Sequence, residues 1–128
     1  MKLKKYSTVA GKAQNGKPSI SFSAKSGIVR LNKALLTSLG LKNGDKIDIC
    51  QDEENVKDWY ITIAKEGFTL RVSERLEGMV NSKTVCEDIR ACVKNIDDEK
   101  SSKMLVAVEH PTVLEKQKYF PILTSSAH

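Results

Sequence analysis

Residues 27–49 read GIVRLNKALLTSLGLKNGDKIDI, and these 23 positions hold signals for two strands, a short helix and a tight turn. Asn32 can accept a backbone N–H at a helix start. Leucines one helical turn apart follow it, and Gly40 stands where a left-handed residue ends a helix. Asn43-Gly44 is a tight-turn signal before an alternating strand. The order strand, helix, turn, strand predicts a small barrel that presents loops, and it does not indicate an active site.

This stretch resembles the pattern of the AbrB/SpoVT-like regulators. The matching parts are a glycine with an apolar strand, a short helix with its end, and a Gly-Asp turn with a strand: Gly27-Ile28-Val29, Leu39-Gly40-Leu41 and Gly44-Asp45-Lys46-Ile47. The resemblance covers roughly residues 19–63. It implies a swapped-hairpin barrel that binds DNA.

The chain departs from that pattern at four positions. Ile28 stands where the family usually has arginine, and Asn32 where it usually has proline. Leu36 and Thr37 occupy positions that are often arginine in DNA-binding members. The missing arginines at Ile28, Leu36 and Thr37 favour a second hypothesis, a non-enzymatic assembly module such as a phage particle or accessory component, which reads no DNA sequence.

Charge is distributed unevenly along the 128 residues. Residues 1–44 hold nine Lys and Arg and no acid, whereas residues 45–128 hold 12 bases and 16 acids. A basic front end predicts a polyanionic partner, while a solvated basic tail is the alternative. The expected partners are therefore DNA or an acidic protein, and a homo-oligomer is possible. The predicted phosphate-contacting residues are Lys12, Lys17, Lys25, Arg30, Lys33 and Lys42.

The chain divides into a basic arm, 1–18, a barrel domain, 19–124, and a tail, 125–128. Leu3, Tyr6 and Val9 allow a short edge strand within the arm. The barrel is predicted to be mainly β with two short helices, AbrB-like or double-psi-like, and built from two pseudo-repeats, about 19–66 and 67–124. Each half reads as strand, helix, strand, hairpin, strand, and two such halves can cover each other's apolar face.

Local signals in the second half give two more detailed predictions. Asn81-Ser82 can start a helix, and Thr84 with Glu87 three residues on is typical of a capping box. Pro121 lacks a backbone donor, so its strand is predicted to lie at a sheet edge or to be bulged.

Catalytic and metal-binding patterns are not found in the sequence. Its histidines are His110 and His128, no cysteine pair has the C-x-x-C spacing, and no nucleophile-base set can be proposed. We therefore predict no enzyme, no metal and no cofactor. The odd number of cysteines and the lack of an apolar signal segment or membrane span predict a cytoplasmic protein with reduced thiols.

Overall fold

The computed structural model describes residues 17–92 and 102–124. The two helices are α1 (Lys33–Leu39) and α2 (Lys83–Cys92). The strands of the first half are β1 (Ser19–Ser23), β2 (Ile28–Leu31), β3 (Lys46–Gln51) and β4 (Trp59–Ile63). Those of the second half are β5 (Phe68–Thr69), β6 (Arg71–Val72), β7 (Gly78–Asn81), β8 (Ser102–Val106), β9 (Thr112–Leu114) and β10 (Gln117–Leu123).

The strands form one nearly closed antiparallel barrel. Their order is β5-β3-β4-β10-β8-β1-β2-β7-β6, with β9 attached to β10. Only Leu70 separates β5 from β6, so one bent stretch of chain joins the two ends of the sheet. The prediction of a small, mainly β barrel with two short helices is confirmed.

The strand order has an internal symmetry. Around the barrel, β5 and β6 count as one strand. The circular order of strands is then the same after four pairwise exchanges: β1 with β5–β6, β2 with β7, β3 with β8, and β4 with β10. In this exchange β2 and β7 pair with each other, and so do β4 and β10. The division into repeats 19–66 and 67–124, with an arm and a tail, stays a prediction, and residues 1–16 and 125–128 lie outside the described part.

Alternation along the strands builds the barrel interior. Alternate residues point inward, as period-two geometry requires, so Phe22 on β1 and Ile61 on β4 are fully buried while Ser21 and Tyr60 face outward. Phe22 and Trp59 therefore take core positions. The largest fully buried side chains are Phe22, Ile20, Leu31, Leu35, Ile47, Ile61, Leu70, Ile89 and Met104.

Helix α1 begins and ends at the predicted residues. The Asn32 side chain accepts from the Leu35 N–H at 2.9 Å, and Gly40 closes the helix with φ 65°. Asn32 also joins α1 to the start of β1: its Oδ1 accepts from the Ser19 N–H at 3.1 Å and its Nδ2 donates to the Lys17 carbonyl at 2.8 Å. Proline offers none of these side-chain bonds, and it lacks the backbone N–H that Asn32 donates to the Ser19 carbonyl at 3.1 Å.

Replacing Asn32 by alanine is expected to lower the free energy of unfolding by about 2–4 kcal/mol. Loss of the cap costs about 1 kcal/mol, and the buried Ser19 N–H loses its acceptor at a further cost of about 1–3 kcal/mol. Ser82→Ala is the matched control. Ser82 caps α2 at the equivalent place, where its Oγ accepts from Val85 N–H at 3.2 Å, so the expected loss is only about 1 kcal/mol. Urea unfolding of both variants compares the two, and equal losses would contradict the joining role of Asn32.

Two local predictions for the second half, the capping box at Thr84 and the edge position of Pro121, are wrong. Helix α2 is capped by Ser82, one of the two residues predicted to start it, and not by Thr84, which lies within the helix. Strand β10 is interior to the sheet, between β4 and β8, and is no edge. Pro121 is tolerated there because it lies where the partner on one side of β10 changes: Tyr119 still pairs with β9, and Ile122 already pairs with β8.

Candidate nucleic-acid interface

The outer face of five neighbouring strands carries a row of basic side chains. Strands β8, β1, β2, β7 and β6 lie side by side. Their register places Lys103 opposite Ser21, Ser21 opposite Arg30, Arg30 opposite Met79, and Met79 opposite Arg71. Because adjacent strands lie about 4.8 Å apart, the Cα atoms of successive basic residues in this line are about 10 Å apart. We call Lys103, Arg30 and Arg71 the cationic row.

Strand alternation exposes the members of the cationic row. Lys103 precedes buried Met104, and Arg30 lies between the buried Val29 and Leu31, so both face solvent. Arg71 is exposed as well, and its Nη2 donates to Asn81 Oδ1 at 3.1 Å, which orients the guanidinium along the sheet. The row is therefore a surface of accessible cations held at spacings set by the strands.

A shallow cleft of about 230 Å³ lies beside the centre of the row. Arg30 and Lys103 line it together with Asn32 and Glu77. Glu77 reaches this cleft from the turn between β6 and β7. The carboxylate lowers the positive potential at the centre of the row.

The other predicted phosphate contacts fall into three groups. Lys17 and Lys25 are exposed at opposite ends of β1, before the strand and in the turn after it. Lys33 and Lys42 line a different, mostly apolar cleft of about 210 Å³ beside α1. Lys12 lies outside the described residues. Of the predicted set, Arg30 alone belongs to the cationic row.

Sequence reasoning missed Arg71 and Lys103. Both belong to the half of the chain where acids outnumber bases, so the charge count gave no reason to choose them. A local signal for Lys103 exists, because it precedes the alternating Met104 and Val106 and must face outward if these face the core. No comparable signal marks Arg71, which becomes a neighbour of Arg30 only through the pairing of β2 and β6 with β7.

A second surface feature lies between the outer face of β3–β4 and the start of β10. It is a groove of about 910 Å³ lined by both acids and bases, with Asp48 and Cys50 among its side chains. The Tyr60 and Tyr119 rings meet edge to face on neighbouring strands there, with centroids 6.5 Å apart. Both tyrosines are thus on this side of the barrel and outside the cationic row.

The cysteine environments disfavour thiolate chemistry. Burial raises the pKa of the Cys50 thiol, and the nearby Asp48 carboxylate raises it further. Burial also raises the pKa of the Cys86 thiol, a hydrogen bond from the backbone lowers it, and Glu87 raises it. Because the thiolate is the reactive form, both thiols are poor nucleophiles at neutral pH.

The chain matches no family model, no curated protein and no solved structure. The AbrB/SpoVT-like family assignment therefore stays a prediction. Within residues 17–92 and 102–124, no three His, Cys, Asp or Glu side chains are placed together to hold a metal ion. Neither α1 nor α2, the helices in that part of the chain, has the length and apolar character needed to cross a bilayer.

Proposed function

We propose that this protein is a non-enzymatic DNA-binding regulator of AbrB-like type that contacts backbone phosphates through the cationic row. The observation that carries the proposal is the alignment of Lys103, Arg30 and Arg71 on one exposed sheet face. Lys17 and Lys25, at the two ends of β1, extend the positive surface along the strand direction. The absence of acids from residues 1–44 adds a favourable long-range field.

The chemistry of the row favours duplex DNA over single strands. Proteins that bind single strands stack bases on exposed aromatic rings in a basic groove. The positions between the cations are Ser21 and Met79, and the outward tyrosines lie on other strands. Cations without stacking rings contact phosphates and position the protein without reading base sequence. We therefore expect little sequence preference from this face.

Salt titration of DNA binding tests the proposal. Neutralisation of five phosphates, three by the row and two by Lys17 and Lys25, gives a slope of about −4.5 in log K against log salt. Fluorescence anisotropy with a mixed-sequence duplex across a salt series measures that slope. A matched single strand should bind more weakly. Failure to bind duplex at low salt, or binding that is independent of salt, contradicts the proposal.

Glu77→Gln is expected to tighten duplex binding roughly twofold, because it removes a carboxylate that repels phosphate beside Arg30 and Lys103. Glu74→Gln in the same turn is the control. It removes the same charge from an exposed side chain that does not line the cleft, so the expected change is smaller. Equal gains for both variants would show that only net charge matters.

The assembly module is the second candidate function, and the groove of about 910 Å³ favours it. The groove has mixed charge and lies on the side of the barrel away from the cationic row, where a partner protein would not compete with DNA. Light scattering after size-exclusion chromatography distinguishes the two functions. A stable higher oligomer that does not shift DNA favours assembly, whereas a monomer that shifts DNA contradicts it.

A further inference from the structure

The cleft of about 210 Å³ beside α1 is an open apolar site. Four apolar side chains form its walls: Leu36, Leu41, Val72 and Leu76. A water molecule takes about 30 Å³ in the liquid, so this cleft has room for a branched aliphatic side chain. Among the described residues that line it, the charged ones are Lys33 and Lys42, and both are exposed. We call this site the lysine cleft, and its chemistry suits an apolar side chain with acids beside it.

Leu76 lines the lysine cleft from the turn between β6 and β7, in a backbone conformation that leucine rarely adopts. Its φ is 61°, in the left-handed region, and the residue is 48% exposed. The Leu76 N–H donates to the Ser73 carbonyl at 3.0 Å, so the turn is closed by its backbone. Glycine, asparagine or aspartate would form such a turn with less strain. Leucine at this position supplies an apolar wall although it strains the turn, which indicates a surface shaped for contact.

The turn between β3 and β4 presents an occupant of matching chemistry. Residues 52–58, which we call the acidic tip, contain four acids and one lysine. Val56 lies within the tip and is 55% exposed. The Val56 carbonyl accepts from Gln51 Nε2 at 2.8 Å and from Trp59 Nε1 at 3.1 Å, which fixes this part of the turn. The tip therefore holds an exposed apolar side chain within a negatively charged segment.

Charge distinguishes Val56 from the other exposed apolar side chains. Val113 and Leu114 have the highest exposed fractions among those described, and Glu115 and Lys116 follow them directly. A segment of such mixed charge is not attracted to a cleft with two lysines. Val56, with acids on both sides in the sequence, complements the lysine cleft better.

The acidic tip and the lysine cleft lie toward opposite ends of β3. The Asp45 N–H, just before the strand, donates to the Lys42 carbonyl at 3.0 Å, so the cleft adjoins the start of β3. The tip begins directly after Gln51, the last residue of the strand. The path from Lys46 to Gln51 spans about 17 Å. One copy therefore does not place its tip in its own cleft, and a second copy is the occupant with the matching charge.

We propose that the acidic tip of one copy docks in the lysine cleft of a second copy, with the Val56 side chain between α1 and Leu76 and the tip acids beside Lys33 and Lys42. Because the two surfaces differ, the contact is head-to-tail, and each pair keeps one free tip and one free cleft. Association therefore continues beyond the dimer. The contact is small, so it is weak and depends on protein concentration and salt. This inference does not depend on DNA binding by the cationic row.

Sedimentation velocity across a concentration series tests the contact. At low salt, the average mass of the intact chain is expected to rise past that of a dimer, and high salt is expected to reverse this. Val56→Lys is expected to weaken association about tenfold or more, because it places a third lysine in the cleft. Val113→Lys makes the same change at an exposed valine outside both surfaces and should associate normally. An intact chain that stays monomeric or stops at the dimer overturns the proposal, and so does normal association of Val56→Lys.

A mixture of two variants tests the head-to-tail geometry. Leu76→Asn removes one wall of the cleft and suits the φ of 61°, so it is also expected to weaken association about tenfold while the fold is kept. Mixed in equal amounts, Val56→Lys supplies an intact cleft and Leu76→Asn an intact tip. The mixture is expected to reach the mass of a dimer and to stop there, since the remaining tip and cleft are both altered. If both variants keep the circular dichroism of the intact chain and the mixture stays monomeric, the proposal is overturned.

Discussion

Replacing all three members of the cationic row by alanine is expected to weaken duplex binding roughly 100-fold at moderate salt and to reduce the salt slope by about 2.7. Each phosphate contact releases close to one counterion, so the slope changes by about 0.9 for each cation that is lost. The row residues are exposed, and their neighbours are packed through other side chains, so the fold should survive. Anisotropy titrations of Arg30→Ala/Arg71→Ala/Lys103→Ala across a salt series measure both quantities.

A triple variant elsewhere on the barrel supplies the control. Lys46, Lys57 and Lys65 are exposed and belong to β3, the β3–β4 turn and the segment after β4. Their replacement by alanine lowers the net charge by the same amount, from +5 to +2. If the effect comes from net charge alone, the two triple variants will bind DNA equally weakly, and the row is then not the interface. A much smaller loss in the control supports the row.

Phe22→Ala is expected to cost about 3–5 kcal/mol of folding stability, the largest loss among the single substitutions considered. The Phe22 side chain has no exposed surface, and it projects from β1 into the barrel, where that strand pairs with both β2 and β8. Alanine removes most of the side chain and leaves a cavity that strands on both sides cannot fill, so packing loss adds to transfer loss. Because domains are stable by only about 5–15 kcal/mol, much of the protein unfolds under mild denaturant.

Urea unfolding monitored by circular dichroism measures this loss. Phe22→Leu is the matched control, since leucine keeps an apolar side chain of intermediate volume and should cost clearly less. A half-buried position on the outer face of the same strand provides a second reference: Ser21→Ala should change stability by less than about 0.5 kcal/mol. Similar losses for Phe22→Ala and Ser21→Ala would contradict the inward direction of Phe22.

Helix α1 and the barrel class followed from the sequence because their signals are local. The cap residue Asn32, the leucine face and Gly40 lie within nine positions, and each acts through neighbours in the chain. Strand β4 carries a signal of the same kind, since alternation at Trp59 and Ile61 needs no knowledge of the partner strand. Features of this kind depend only on the hydrogen bonds and on the periodicity of apolar side chains within one segment.

The wrong predictions arose where two local signals competed or where the result depended on which strand pairs with which. Ser82 and Thr84 both suit a helix cap, and the end of β7 at Asn81 decides in favour of Ser82. Strand β9 was not predicted, because three residues give too short a pattern to recognise. Pro121 suggested an edge, yet the change of partner along β10 accommodates it in an interior strand.

By itself, the sequence determined the strand periods, helix α1 and the segregation of basic charge toward the front of the chain, since each is a property of neighbouring residues. Only the tertiary structure decided that Arg30 shares a row with Lys103, which is 73 positions away, and with Arg71. The physical reason is that closure of the barrel sets the register between strands that are distant in the chain. A slip of one residue would turn a row member toward the core.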